Sequence, residues 1–360
     1  MYKKVVFFMM ICAAFAFGKA LAMGVQIGPS KPVLSPEKRD ALALTPIVQR
    51  TLPSPVALDQ LESAWRDWMV TFDVSASSIA IGRDGKILHS RGAKRSPSTG
   101  FPMASLSKSI TAQCLNELLE ESPYDWNATL TDLKPVLARL NLSPGKAMMG
   151  KTLSQFATHT SGLPKILFQG KTSMRKRNLD SQSAMTRTAL TVPANFDAET
   201  GFTYSNANYA ILGSLIAALS DKTYAQTCKA RIMVPAGAKN AHVSGQMART
   251  GGYGGWLVSV EDYVRYAMYW FAPSKPWVQT PQAYPFETKY GYGLGVYTRH
   301  ANGGYSFHHG GSWRHSDRRR ANLGAFMIVG PDGTAIVVNW DKRLPKAAYS
   351  HLFDVFSMYL

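Results

Sequence analysis

The pattern of hydrophobic positions switches between helical and strand-like four times along the chain. Leu58, Leu61, Trp65, Trp68 and Met69 recur every three or four residues, which predicts a helix over Leu58–Phe72. From Ser75 to Ser90, polar and apolar residues alternate on either side of Arg83-Asp84-Gly85-Lys86, the pattern of a β-hairpin. Helical spacing returns at Ser107–Glu121. It dominates residues 110–270, with helices expected at Leu153–Thr158, Asn208–Ser220, Tyr224–Met233 and Val260–Trp270 between long loops. Strand-like segments then return. Strands are predicted at Tyr292–Thr298, Gly304–His308, Leu323–Val329 and Thr334–Trp340, the last two joined by a Pro331-Asp332-Gly333 turn. A helix over Lys346–Tyr359 closes the chain. Strands at both ends with helices between them predict an α+β fold. One antiparallel sheet would form from both chain ends, flanked by helices, with a mostly helical subdomain inserted at 110–270.

Before the first helix the periodicity is absent. Residues 23–56 carry Pro29, Pro32, Pro36, Pro46, Pro53 and Pro55 and read as an extended arm ahead of a domain over 57–360. Further upstream, Lys3 and Lys4 precede an apolar run from Val5 to Phe17, and Ala20-Leu21-Ala22 follows. That is the layout of a secretory signal peptide cleaved after Ala22, so an exported, periplasmic or extracellular protein is expected.

Composition supports a folded chain. Of 360 residues, 46% are hydrophobic and 18% charged, enough apolar surface for a large core and unlike a disordered chain. The formal charge is +17, falling to about +14 once Lys3, Lys4 and Lys19 leave with the signal segment. Such a balance suits an anionic envelope surface, or simply a soluble protein with a basic exterior. No nucleic-acid motif accompanies it, and nucleic acid is not an expected partner. Cys114 and Cys228 either pair or stay as buried thiols. With no spaced histidines beside them they make no metal signature, and no cofactor is expected.

The candidate chemistry starts at Ser105-Leu106-Ser107-Lys108. Positions three apart share a helix face. A lysine amine there can draw the proton from a serine hydroxyl and turn it into a nucleophile. An S-x-x-K alone is also an ordinary helix start. Four further segments bear on it: Thr152–Pro164, containing His159-Thr160-Ser161-Gly162; Phe202-Thr203-Tyr204-Ser205-Asn206, opening a helix; Gly251-Gly252-Tyr253-Gly254-Gly255; and Phe307-His308-His309-Gly310-Gly311-Ser312 on a late strand.

S-x-x-K, Y-x-N and H-x-G in this order, about a hundred residues apart, resemble the serine β-lactamase and penicillin-binding superfamily over about residues 75–345. The branch is that of class C β-lactamases, DD-carboxypeptidases, D-aminopeptidases and family VIII esterases. The resemblance implies a β-lactamase/transpeptidase-like fold and assigns roles. Ser105 is the acylated nucleophile and Lys108 its base or proton relay. Tyr204 shuttles protons to and from the serine and the leaving group. Asn206 hydrogen-bonds the lysine. His308 and Gly310 match the third motif, and the backbone N–H groups of Ser105 and Gly311 form the oxyanion hole. His159 belongs to a structural turn, and the 251–255 glycines pass between helices. His300 and His309 receive no role.

The resemblance also carries departures. A lysine usually opens the third motif, where it helps bind a substrate carboxylate; here the first position is His308. The run from Arg314 to Arg320 replaces a small turn and is either a substitute cation cluster or a solvated loop. The expectation is an exported serine hydrolase acting on a small ester, amide or peptide substrate, leaning to esters. The alternatives are a D-amino-acid peptidase, DD-carboxypeptidase or weak β-lactamase of cell-wall-type peptides, and, from another class, a non-catalytic envelope-binding protein.

Overall fold

A computed structural model of the chain describes residues 55–165, 181–192, 201–301, 303–313 and 322–360. The signal segment, nearly all of the arm and the arginine run at 314–320 lie outside the described residues.

The expected sheet is present. Its eight strands run in the order β2-β1-β11-β10-β9-β8-β7-β6. These are β1 (Ser77–Arg83), β2 (Lys86–Ala93), β6 (Phe286–Glu287), β7 (Tyr292–Gly293), β8 (Val296–Ala301), β9 (Gly304–Trp313), β10 (Leu323–Val329) and β11 (Ala335–Trp340). Every pairing is antiparallel, and β1 lies directly against β11, so the two chain ends share one sheet. A second, three-stranded sheet, which the hydrophobic pattern did not announce, joins β3 (Phe101–Pro102), β5 (Trp256–Val258) and β4 (His242–Val243).

Strand alternation gives the large sheet two apolar faces. Ile79, Ile81, Phe326, Ile328, Ile336, Val338 and Trp340 face α1 (Pro55–Thr71) and the C-terminal helix Lys346–Ser357. The indole N–H of Trp68 donates to the Ala348 carbonyl at 3.0 Å and ties these two helices together. Ala80, Ala325, Met327, Val329 and Val337 face the helical layer. That layer holds α2 (Ser107–Glu120), α3 (Leu153–Ala157), α4 (Gln182–Leu190), α5 (Asn206–Ser220), α6 (Tyr224–Cys228) and α7 (Val260–Trp270). The C-terminal helix completes the labels as α8. Each predicted helix appears within three residues of its expected ends, except that the α-helix at Tyr224 stops at Cys228 and continues as a π-turn over Lys229–Met233.

Two local outcomes differ from the pattern and matter to the site. The expected strand Tyr292–Thr298 is two strands, β7 and β8, broken at Leu294-Gly295, where φ is 47° and 81°. The break has a steric cause. A Cβ on Gly295 would stand 2.5 Å from the Lys108 carbonyl carbon, so only glycine lets this turn rest on the first turn of α2. The strand expected at Gly304–His308 runs on to Trp313. Between Cys114 on α2 and Cys228 at the end of α6, the structure forms a disulfide with Cα atoms 5.4 Å apart.

Candidate active site

Ser105 lies in a short 3-10 turn, Ala104–Leu106, that leads from β3 into α2. The turn is held at its start, where the Met103 N–H donates to the Trp256 carbonyl on β5 at 3.0 Å. Ala104 takes φ of 48°, a left-handed conformation that costs a non-glycine residue energy, as is common beside functional groups. This kink points Ser105 out of the core, half-buried, while Lys108 one turn later is fully buried.

Three oxygens meet the Lys108 amine: Ser105 Oγ at 3.1 Å, Asn206 Oδ1 at 2.9 Å and the Tyr253 carbonyl at 3.0 Å. Its surroundings are otherwise aromatic, with the Tyr204, Tyr209 and Tyr253 rings 4.9, 5.8 and 5.7 Å from Nζ. Burial holds the amine well below the usual lysine range. A neutral amine has two N–H bonds and one lone pair. The amide oxygen of Asn206 and the carbonyl of Tyr253 can only accept, so they take the two N–H bonds. The lone pair is left for the Ser105 hydroxyl, the orientation a general base needs.

Asn206 and Tyr204 are placed by one helix start. Ser205 caps α5, its hydroxyl accepting from the Ala207 N–H at 3.3 Å. Asn206 is therefore free of capping duty and reaches Lys108. Tyr204 sits just before the cap, and its hydroxyl hydrogen-bonds the Ser105 side chain. Burial raises the Tyr204 phenol above its ordinary value, so it remains protonated and Lys108 is the better base.

His159 stands behind this pair. Its Nδ1 accepts from the Ser205 backbone N–H at 3.2 Å and faces the Asn208 amide nitrogen at 2.9 Å. Its ring centroid is 4.3 Å from that of Tyr204. Burial pushes the imidazole well below its ordinary pKa, so it is a neutral support for the Tyr204 segment. The glycine-rich stretch is a helical turn over Gly251–Gly254 packed against α2 and α5. Thr111 Oγ1 donates to the Gly252 carbonyl at 2.6 Å, which carries the neighbouring Tyr253 carbonyl to Lys108. Tyr253 is a site residue that sequence reasoning missed, because a backbone acceptor has no side-chain signature.

The third motif is placed one residue away from its expected register. Side chains alternate along β9. His308 points to the α8 face, its ring 4.5 Å from Phe353, and Gly310 lies under Tyr349 on the same face. The opposite face carries His309 and Gly311. The His309 ring is 6.0 Å from Tyr204 and 5.9 Å from Tyr292, and its Nε2 is 3.5 Å from the Tyr292 hydroxyl. Gly311 backs onto the nucleophile turn, where an added Cβ would collide with the Met103 carbonyl. Of the residues singled out from the sequence, Ser105, Lys108, Tyr204 and Asn206 converge with the β9 backbone, and the histidine that joins them is His309. His309 Nδ1 meets the Gly310 carbonyl at 2.8 Å, which must accept, so Nδ1 carries the proton. Burial above all pushes His309 down to about 3, so this position is uncharged.

Beyond His308, β9 has no partner on its β8 side among the described residues, whereas its pairing with β10 continues to Trp313. Among the described residues, an unpaired strand edge thus runs beside Ser105. Among the described residues no group of three or more His, Cys, Asp or Glu side chains is arranged to hold a metal ion.

A nucleophile turn from a sheet edge, a buried S-x-x-K lysine and a tyrosine ahead of a helix define the serine β-lactamase and penicillin-binding class of fold. The beta-lactamase family model matches residues 71–353, and the chain belongs to that family, whose members are serine hydrolases. Protein flp of Staphylococcus aureus (strain MW2) is 25% identical over 162 residues, 42% of this chain. The match spans about a third of that relative's length, 32%. Among solved structures, the octameric penicillin-binding protein homologue from Pyrococcus abyssi superposes with a TM-score of 0.65 at 17% identity, over 83% of this chain and 77% of that one. A D-stereospecific amidohydrolase from Streptomyces sp. gives 0.59 at 18% identity, over 78% of this chain and 94% of that one.

Proposed function

We propose that the protein is an exported serine hydrolase that forms an acyl-enzyme on Ser105 and acts on uncharged ester or amide substrates, esters foremost. The observation that carries this reading is the buried Lys108, its two N–H bonds taken by Asn206 and Tyr253 and its lone pair left to Ser105. Lys108 takes the hydroxyl proton as Ser105 Oγ attacks the carbonyl carbon. The resulting oxyanion faces backbone N–H donors of the 3-10 turn and of β9; each such donor contributes about 3 kcal/mol in acyl-transfer enzymes. Tyr204, protonated and hydrogen-bonded to Ser105, then donates to the departing alcohol or amine and recovers its proton through Lys108. Water attacks the acyl-enzyme by the same route in reverse.

The substrate class follows from charge. A neutral His309 stands where a fixed cation would anchor a substrate carboxylate, which favours esters over β-lactams and over D-amino-acid peptides. Aromatic rings reach outward from the nucleophile and add an apolar wall. Export is supported by the apolar N-terminal run and by the Cys114–Cys228 disulfide, a bond suited to an oxidising compartment. The second reading, a D-peptide amidase, is favoured by the likeness to the D-stereospecific amidohydrolase.

The test is labelling with a fluorophosphonate, mass spectrometry of the adduct and a Ser105→Ala control. A single adduct on Ser105 is expected, and its absence overturns the hydrolase reading. Turnover of short acyl esters above that of D-Ala-D-Ala peptides and cephalosporins is expected; the reverse ranking assigns the protein to the peptidase reading.

A further inference from the structure

We propose that Tyr349, on the C-terminal helix, is a positioning residue for acyl transfer: its hydroxyl holds the Gly311 carbonyl and thereby aims the Ser312 N–H at the oxyanion formed on Ser105. The inference rests on the acyl-enzyme reading above. It also moves the strand donor from Gly311, where the sequence motif placed it, to Ser312.

Four observations carry it. The Tyr349 hydroxyl donates to the Gly311 carbonyl at 2.9 Å. A trans peptide is planar, with its C=O and N–H pointing in opposite directions. Holding the Gly311 oxygen therefore fixes the direction of the N–H at the other end of that peptide unit, which belongs to Ser312. Second, the side from which Tyr349 approaches is known. Its ring is 5.2 Å from Trp340 on β11, whose indole lies under Gly324, the β10 partner of Ser312. The Gly311 carbonyl is thus turned toward the interior of the sheet, and the Ser312 N–H toward the free edge of β9.

Third, within one extended residue the N–H and C=O point to the same side of the strand. The Gly311 N–H follows its carbonyl away from the cleft and cannot serve the oxyanion. Fourth, the seat for the tyrosine ring is built in. A Cβ on Gly310 would stand 2.7 Å from Tyr349 Cδ1, so glycine at 310 is what lets the ring lie flat beneath the strand. Burial pushes the Tyr349 phenol up to about 12, so the hydroxyl remains a donor throughout the working pH range.

The experiment uses the full mature chain. The sequence contains two Gly–Ser peptide bonds, Gly213–Ser214 and Gly311–Ser312. Labelling glycine carbonyls with carbon-13 and serine nitrogens with nitrogen-15 isolates these two amides by NMR, the first serving as an internal reference inside α5. When a fluorophosphonate adduct forms on Ser105, the phosphonyl oxygen occupies the oxyanion position. The Ser312 amide proton should move downfield while that of Ser214 stays. In Tyr349→Phe the shift should shrink, and kcat for a short acyl ester should fall about tenfold with KM within about twofold. Leu352→Ala, a buried core variant of the same helix, should lower the melting temperature without lowering kcat at 25 °C. A Ser312 amide unmoved by the adduct overturns the proposal. So does a Tyr349→Phe enzyme with wild-type kcat, or a Leu352→Ala enzyme that slows as much. Failure of wild-type Ser105 to take any adduct is a separate result, which removes the acyl-enzyme reading itself.

Discussion

Asn206 Oδ1 lies 2.9 Å from Lys108 Nζ, so an amide and not a carboxylate is the side chain that holds the buried lysine. The difference sets the charge of the base. An amide oxygen accepts a hydrogen bond without stabilising the ammonium form as an anion does, and burial then keeps the amine below its usual range. Asn206→Asp places a carboxylate at hydrogen-bond distance and should restore the lysine toward its ordinary pKa. The expected result is a kcat about 10- to 100-fold lower at pH 7, recovering as pH rises, so the ascending limb of the pH–rate profile moves to higher pH. An unshifted profile refutes Lys108 as the base.

His308 and His309 are neighbours on opposite faces of β9, which gives a clean test of register. His309→Lys puts a flexible cation beside Tyr204 and should raise kcat/KM for carboxylate-bearing substrates such as cephalosporins or D-Ala-D-Ala peptides relative to neutral esters. His308→Lys puts the same charge among Tyr297 and Phe353 under α8. It should lower the melting temperature and leave substrate preference as it was. If the two variants exchange these phenotypes, the placement of β9 is wrong.

Burial pushes both of these histidines down to about 3, from an ordinary value near 6.5. The folded state therefore stays unprotonated where the unfolded chain takes up protons. Stability rises with pH wherever the unfolded state binds more protons, so these groups destabilise the fold progressively as pH falls from about 6.5 toward 3. Urea midpoints measured at pH 7.5, 5.5 and 4.5 should decline in that order. His309→Gln should flatten the decline without removing it, because His308 still titrates; an unchanged slope contradicts the burial of His309.

Much of this site was legible in the chain because short spacings fix it. Ser105 and Lys108 face one another by helix geometry alone, and Tyr204 and Asn206 are two apart at a helix start. The third motif was not legible. His308-His309-Gly310-Gly311 satisfies H-x-G in two registers, and a one-residue slip in a strand exchanges the faces. Only packing against Phe353 on one side and Tyr204 on the other decides between them. The Tyr253 carbonyl and the break at Gly295 were hidden for a related reason: both depend on one backbone approaching another across the fold. The antiparallel sheet, by contrast, was visible in short β-rich runs separated by turns that carry Asp-Gly, at Asp84-Gly85 and Asp332-Gly333.

The Cys114–Cys228 bond joins residues 114 positions apart, tying the helix that carries Lys108 to the far end of the helical layer. A loop of this length corresponds to about 4–5 kcal/mol of unfolded-state entropy in the chain model, with measured losses for native bonds of about 2–5 kcal/mol. Cys228→Ala, or reduction of the wild type under conditions that open the buried bond, should lower the melting temperature by about 3–8 °C. Ester turnover at 25 °C should persist, since neither sulfur touches the site. A free-thiol count of two in the oxidised mature protein would show that the bond does not form.

Rings lead away from the nucleophile toward solvent. Tyr204 is 6.2 Å from Tyr292, Phe202 is 5.7 Å from Tyr292, and Phe202 is 4.7 Å from the exposed Tyr290. Phe202 and Tyr204 are two apart in an extended segment whose intervening residue, Thr203, donates its N–H to the His159 carbonyl at 2.8 Å. That arrangement sends both rings to one side, against His159. A substrate with its carbonyl at Ser105 can lay an aromatic group along this strip, and ring contacts of this kind contribute about 0.5–1.5 kcal/mol each. Tyr290→Ala and Phe202→Ala should therefore raise KM for benzoyl or phenyl esters about two- to tenfold while leaving acetyl ester turnover within twofold. The exposed Tyr290 is the more telling variant, since its loss should hardly disturb folding. Equal losses on acetyl and benzoyl esters would mean that the strip supports Tyr204 and does not read the substrate.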